Sequence, residues 1–535
     1  MRIQASLTAI VMLIFAAGLP RAATTVPILW TAGGLDAGTT GAGQASRIAA
    51  DVLGNVSVVS GPAGSDLAIT SYSPTGMLRW RRTVSPSVGT FVGDWIAAAP
   101  DADVIAVGHN VTSRGNPIAL TLVRYSSDGT LQWRVDLARV APSVGRLLVD
   151  AAGNAYLAFN SVGDGQDIQL HKYNVSGVLV WSQVISTGFA ANDVATSLAL
   201  GPDGADVVAT GNIVGGATWI VASFNAATGA RRWLVTSQQD GINARDLVID
   251  ATRVYVTGEA VTDPGTPAMT RVLTVVAYDR ASGARRWKTI RKPADAGSAA
   301  GLRMVLALDG SIVVTGQANR GFLDWYTLAL DTTGAVRWEA VRDGGLNTNE
   351  IPASIVTLSG GAIVVTGPGG PNLPGGFIPG VAAAYDSNGL LLWEAFAAMA
   401  TVWATALPSG DVCATGGYDA LVTCWSVSGA GVVNPPVVNP PALPTAPEQL
   451  IAQALTGRSI RLSWSNTAVD QTAIGIERCR GASCTNFAQV ATVPGIEATW
   501  TDTGLQSATY RYRVRAHNGA GDSPYSNTAD ARTIR

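Results

Sequence analysis

The sequence predicts an all-β chain: an eight-bladed β-propeller, its ring closed by an N-terminal strand, followed by a small β-sandwich. Three observations carry this. A tryptophan stands four residues after a turn glycine at seven places about fifty residues apart. A second hairpin pattern lies between those markers. The composition is rich in turn formers and poor in charge, with Gly 60, Pro 26 and only 14% charged residues against 47% hydrophobic ones, which suits many short strands and not helices.

Taken in chain order, residues 1–23 have the pattern of an export signal: Arg2, an apolar run from Leu7 to Leu19, then the small residues Ala22 and Ala23. The expectation is a cleaved secretory peptide. No cysteine lies near it, so no lipid anchor is expected. The run is short for a membrane span, and no later stretch looks like one. Val26-Pro-Ile-Leu-Trp30 follows, with a tryptophan that has no glycine partner of its own.

The propeller is expected over 24–432. Its markers are Gly76/Trp80, Gly129/Trp133, Gly177/Trp181, Gly229/Trp233, Gly283/Trp287, Gly334/Trp338 and Gly389/Trp393, with successive tryptophans 48 to 55 residues apart. Turns such as Ser-Ser-Asp-Gly favour tight hairpins, in which glycine takes positive φ without steric cost. The fixed offset puts every tryptophan on the same face of its strand. There it fills the space between neighbouring blades, with an indole N–H that needs a partner. Between the markers lie hairpins such as Val305-Leu-Ala-Leu-Asp-Gly-Ser-Ile-Val-Val-Thr-Gly316. Each repeat thus holds four strands, and radial stacking buries both faces of such a sheet. The count is eight; seven would require one miscounted repeat. The last repeat closes on Gly429, but position 433 is valine. The strand ending at Trp30 is expected to supply the missing piece and remove the open edge.

All four cysteines lie late. In an exported chain the even count and close pairing predict two disulfides, Cys413 with Cys424 across a hairpin and Cys479 with Cys484 in a tight loop. The spacing does not suit zinc, and His109, His171 and His517 are scattered. Residues 433–446 hold five prolines, a stiff spacer. Residues 447–535 alternate apolar and polar positions, as in Ile460-Arg-Leu-Ser-Trp464 and Tyr510-Arg-Tyr-Arg-Val-Arg-Ala516, which predicts the sandwich.

Two family resemblances follow from these residues. The tail resembles fibronectin type III domains through Leu462-Ser-Trp464, Asp502-Thr-Gly-Leu505 and Tyr510-x-Tyr512-x-Val514-x-Ala516, with Trp464 in the place of the family's core tryptophan and Tyr510 in that of its corner tyrosine. Such modules bind or space, and few catalyse. The repeats over about 27–432 resemble quinoprotein-type propellers, whose blades read Asp-x-x-x-Gly-x-x-x-Trp; Asp279…Gly283…Trp287 is among the best copies. The quinone dehydrogenases of that group use adjacent cysteines and a calcium site. This chain has neither the adjacent cysteines nor a matching calcium triplet, so no cofactor and no metal are expected. Non-enzymatic members include an outer-membrane assembly lipoprotein, whose anchor cysteine is missing here.

No residue set reads as catalytic. A classical triad would need one of the three histidines. Turn aspartates such as Asp128, Asp203 and Asp309 cap their own turns. A net charge of -2 without a basic block argues against nucleic acid. The charge-free loop from Gly367 to Gly380 is a candidate binding lip. Trp95, Trp219, Trp325 and Trp403 stand outside the regular series and are candidates for a face or rim. The leading reading is an exported, non-enzymatic binding or scaffold protein that recognises protein or carbohydrate through the propeller face and its loops. The alternatives are a secreted hydrolase, lyase or oxidoreductase with an axial site, and a self-associating surface material. Secretion and periplasmic retention are both open.

Overall fold

The computed structural model describes residues 24–534 except 33–44, 62–65, 87–88, 112–116, 139, 162–165, 189–191, 215–217, 264–268, 345–348, 370–378, 398–400, 417–420, 428–443, 469–470, 472, 496 and 519–520. The expected export peptide, most of the expected spacer and the centre of the Gly367–Gly380 loop lie outside the described residues. The chain divides into two compact units, Met1–Val432 and Val433–Arg535. Every described element is a strand, and no helix is long and apolar enough to cross a membrane.

Among its described residues the first unit folds into eight antiparallel sheets in chain order, seven of four strands and one of five. The fifth is representative: Asn243–Ile249, Arg253–Thr262, Thr270–Asp279 and Arg285–Arg291, each paired with the next. Its two middle strands are buried almost throughout, while the last is largely exposed. Middle strands covered on both faces read as continuous apolar runs, here Val-Tyr-Val and Val-Leu-Thr-Val-Val-Ala. Eight hydrophobic clusters each draw on two consecutive sheets. One joins the first sheet to the last, packing Ile48, Val58 and Tyr72 against Leu407, Cys413 and Val422. The propeller-like arrangement is thus built from inter-sheet cores, none of which one sheet could bury alone.

Six of the seven repeated tryptophans do what their spacing predicts; the indole N–H of Trp393 is buried without a hydrogen-bond partner among the described residues. Trp233 of the fourth sheet lies on Gly283, the turn glycine of the fifth. Gly283 has φ +73°, and a Cβ there would sit 2.8 Å from the indole. The indole N–H donates to the carbonyl of Arg280 at 2.9 Å. Trp80, Trp133, Trp181, Trp287 and Trp338 repeat this pairing with the next turn at 2.9 to 3.2 Å. Trp30 makes the same bond, at 2.9 Å, to Pro74 of the first sheet.

Trp30 belongs to Ile28–Ala32, which pairs antiparallel with Leu421–Trp425 as the fourth strand of the eighth sheet. The preceding Thr24–Thr25 runs parallel to Trp393–Glu394 and is the fifth strand of the seventh sheet. The sequence gives no sign of that addition, because two threonines carry no pattern. Cys413 and Cys424 face each other across adjacent strands, Cα atoms 4.0 Å apart, and are bonded. Such close opposition belongs to a non-hydrogen-bonded antiparallel pair.

The second unit has one sheet of Glu448–Leu455, Ser459–Ser465 and Thr499–Asp502, and a second centred on Ala473–Arg480 and Thr509–Asn518. Ile460, Leu462, Trp464, Ile474, Tyr510, Tyr512 and Val514 share its core. Tyr510 is buried there; the Tyr512 hydroxyl donates to Asp502 at 2.9 Å and the Tyr525 hydroxyl to Glu477 at 2.7 Å. Cys479 and Cys484 are bonded.

Candidate functional site

In the first unit, strand register creates a site that composition hides. Counted back from each sheet's first hairpin, the fourth cross-strand pair begins with Arg47, Trp95, Arg146, Ser197, Asp246, Arg303, Ser354 and Trp403. In all but the seventh sheet the register shifts just before that residue. A bulge bends a strand and re-aims the side chain that follows it. Side chains from seven of these equivalent positions meet in a common hub.

The hub is held by cations stacked on indoles. The guanidinium of Arg47 lies 4.2 Å from the Trp95 ring centre and 3.8 Å from that of Trp403. The two indoles meet edge to face at 5.3 Å. Arg146 reaches Trp95 at 5.5 Å and Arg303 reaches Trp403 at 4.8 Å. Asp246, 4% exposed, accepts from Arg146 Nη1 at 2.9 Å, from the Ser197 hydroxyl at 2.7 Å and from the Met304 backbone N–H at 3.1 Å. The hub thus holds three guanidinium groups; Asp246 pairs with Arg146 and also raises Arg303, while Asp94 raises Arg47. Burial, followed by repulsion from Arg303, holds the Arg47 guanidinium down to about 9. Burial lowers Arg303 as well.

Beside the hub is a cleft of about 500 Å³ lined by Arg47, Arg245, Arg303 and Trp403 and by the uncharged Leu302, Ile351, Pro352, Ala353 and Pro368. The lining includes Pro368 of the seventh sheet, where the equivalent position carries the small, buried Ser354. Arg245 is paired with Glu259 at 3.1 Å, and Arg271 takes the other oxygen at 3.0 Å. Arg303 donates to the Leu302 carbonyl at 2.8 Å. Its Nε is buried without a hydrogen-bond partner, and it has no ion pair among the described residues.

The other predicted candidates fall elsewhere. His109 Nδ1 lies 2.8 Å from Asp94, whose carboxyl is raised by burial against the opposing effect of His109. Among the described residues no hydroxyl or thiol is hydrogen-bonded to His109, so this pair has no nucleophile to activate. His171 is wedged edge-on to Phe159 at 4.8 Å and bonded to the Tyr173 hydroxyl at 2.9 Å; burial lowers it to about 4. His517 pairs with Asp522 at 3.0 Å in the second unit. Trp219 and Trp325 are wholly buried between sheets. Only Trp95 and Trp403 of the off-series tryptophans reach a site. No group of three or more histidine, cysteine or acidic residues that could hold a metal occurs among the described residues.

Sequence reasoning missed the arginines and Asp246. The signal was available: the residue four before the first turn of each repeat, as in Arg47-Ile-Ala-Ala-Asp51 and Asp246-Leu-Val-Ile-Asp250. It is a position defined by register, and it shows no common residue type.

Comparison with known proteins bears on the repeats. Residues 216–452 match the family model described as outer membrane protein assembly factor BamB. The match is to a family of PQQ-like repeats, and it runs past the first unit into the strand Glu448–Leu455 of the second. No curated protein matches the chain. Among solved structures, Kuenenia stuttgartiensis hydrazine synthase is 13% identical and aligns over 72% of this chain and 96% of its own, with a TM-score of 0.43. An Fn3-like protein from Clostridium thermocellum is 23% identical over 18% of this chain and 97% of its own, with a TM-score of 0.16. Titin kinase with its flanking domains is 21% identical over 17% of each chain, also at 0.16. None of these likenesses bears on function. The matched residues contribute Asp246, Arg303, Ser354 and Trp403 to the equivalent positions of the inner strands.

Proposed function

We propose that the chain is an exported binding protein: an eight-bladed propeller, closed by the strand that carries Trp30, joined through a proline-rich spacer to a fibronectin type III-like tail. Recognition takes place on the propeller face that holds the hub cleft, and the tail spaces or attaches it. Export is supported by the pattern of residues 1–23 and by two disulfides, which persist in oxidising compartments. Ring closure is supported by the Trp30–Pro74 bond and by the core shared between the first and last sheets.

The observation that carries the binding reading is how the hub spends its polar groups. Asp246 is engaged by Arg146, Ser197 and a backbone N–H, and Asp94 by His109, so among the described residues the hub holds no free pair of carboxylates for acid–base work. The lining of the cleft beside it combines cationic and apolar residues, the mixture typical of ligand sites. The test is to purify the exported chain from its own cell envelope and assay it against glycoside, ester, peptide and redox-dye substrates. The expected result is no turnover. Turnover lost on Asp94→Asn would replace the binding reading with an enzyme centred on the His109–Asp94 pair.

A further inference from the structure

We propose that the hub cleft is a carboxylate-binding site, in which Arg303 and Arg47 receive the carboxylate of a ligand whose apolar body lies against Ile351 and Pro352. This rests on the reading of the cleft as the recognition site and names the chemistry it recognises.

The argument begins with an imbalance of charge. A guanidinium taken out of water is costly unless paired and hydrogen-bonded. Each carboxylate around the hub is already engaged. Asp246 holds Arg146, Glu259 holds Arg245 and Arg271, and Asp94 holds His109. Arg303 is left with one backbone carbonyl and the face of Trp403. Its Nε is buried and unbonded at the wall of an open cleft. Arg47 lines the same cleft, close enough that Arg303 lowers it. A ligand carrying negative charge would pair Arg303 and offset that repulsion.

The geometry narrows the ligand further. Trp403 already carries Arg47 and Arg303, so a flat ligand gains little by stacking there. What remains for the charged end is the planar fork of a guanidinium, which matches a carboxylate with two parallel N–H···O bonds. The rest of the lining is uncharged, and Ile351 is 38% exposed. That lining suits a hydrocarbon body, not a fully hydrated anion. Both the C-terminus of a peptide and a free organic acid meet this description.

The test is calorimetric titration of the purified full chain with benzoate, benzamide and inorganic phosphate, and with one apolar octapeptide in free-acid and amidated forms. Benzoate should bind saturably and benzamide should not. Arg303→Met should weaken benzoate by about tenfold or more. Because a hub variant could disturb folding, Ile351→Asp serves as a second probe: it sits at an exposed rim and places a repelling carboxylate there, and it should weaken benzoate similarly. If the free-acid peptide binds and its amide does not, the source is a chain terminus; if benzoate binds and neither peptide does, it is a small acid. The proposal is overturned if benzoate fails to saturate, if benzamide or phosphate binds as tightly, or if neither variant weakens it. Those failures would leave a non-catalytic binding protein intact, whereas turnover in the assay above would remove that reading and leave the carboxylate seat standing.

Discussion

The rim and the hub of the first unit are built from the same repeat and obey different rules. At the rim one solution recurs: an indole on the next sheet's turn glycine, its N–H on a turn carbonyl. At the hub the register recurs and the residue does not. The equivalent position is arginine in three sheets, tryptophan in two, serine in two and aspartate in one. A packing problem posed repeatedly has one good answer, so uniformity marks structure. Diversity at a register-equivalent position shows that packing there does not choose the residue, and something beyond the fold does.

The largest effect should come from breaking the rim rule. Trp233→Ala removes an indole that is 8% exposed and sits in the core between the fourth and fifth sheets. It leaves a cavity and unpairs the Arg280 carbonyl, at a cost of about 3–5 kcal/mol. Denaturant unfolding should show a lower midpoint. A loss below about 1 kcal/mol would mean that the docked tryptophans are ornaments of the repeat and that the contrast with the hub is empty.

At the hub the one position expected to behave like the rim is Asp246. Asp246→Ala strips Arg146 of its buried partner and leaves the Met304 N–H unmatched. Removing one member of a buried pair costs about 3 kcal/mol, mainly through the charge left behind. The same unfolding experiment reads it. Asp246→Ala combined with Arg146→Met should recover much of the loss, because the orphaned cation goes too.

How much of this was legible follows from which rule applied. The glycine–tryptophan spacing predicted the repeated sheets and the place of Trp30 because a uniform structural position is a sequence pattern. The Cys413–Cys424 pairing was readable because the hairpin fixes which residues oppose each other. The hub was not readable as a pattern. Arg47, Arg146 and Asp246 look like ordinary strand residues until the bulge before each is known, and bulges leave little mark on composition. Trp95 and Trp403 were noticed as exceptions, but only their place four residues before the first turn of a repeat separates them from Trp219 and Trp325, which are buried in the inter-sheet cores. Thr24–Thr25 joining the seventh sheet was invisible for a simpler reason: a two-residue parallel addition has no periodicity to detect.

The half-buried His171 offers a test that pH can turn. Burial brings it to about 4 in the folded chain, from an ordinary 6.5. As pH falls through that window the unfolded state takes up the proton first, so stability is lost between about 6.5 and 4 and is fully present above it. The contribution is on the order of 3 kcal/mol. His171→Leu keeps an apolar group against Phe159 and cannot titrate. The difference in unfolding free energy between wild type and variant should therefore change across pH 6.5 to 4 and stay flat from pH 7 to 8. A difference that is flat throughout would mean that the histidine is solvated in the folded state.

The smallest stability effect is expected where the side chain is large, and this separates the two rules most sharply. By the rim's logic Arg303→Met, at the edge of a buried core beside Trp403, should cost stability through lost contacts. By the hub's logic it removes a desolvated cation that makes no ion pair among the described residues and whose Nε is unbonded, and methionine fills a similar volume without charge. Replacing buried charge with a well-packed apolar group is often neutral or stabilising, so the change in unfolding free energy should stay within about 1 kcal/mol of zero. A loss comparable to that of Trp233→Ala would place Arg303 among the packing residues, and the charge held at the hub would need no ligand to explain it. A near-zero loss, in a variant that no longer binds benzoate, would show a residue kept against the interest of stability for the sake of what it holds.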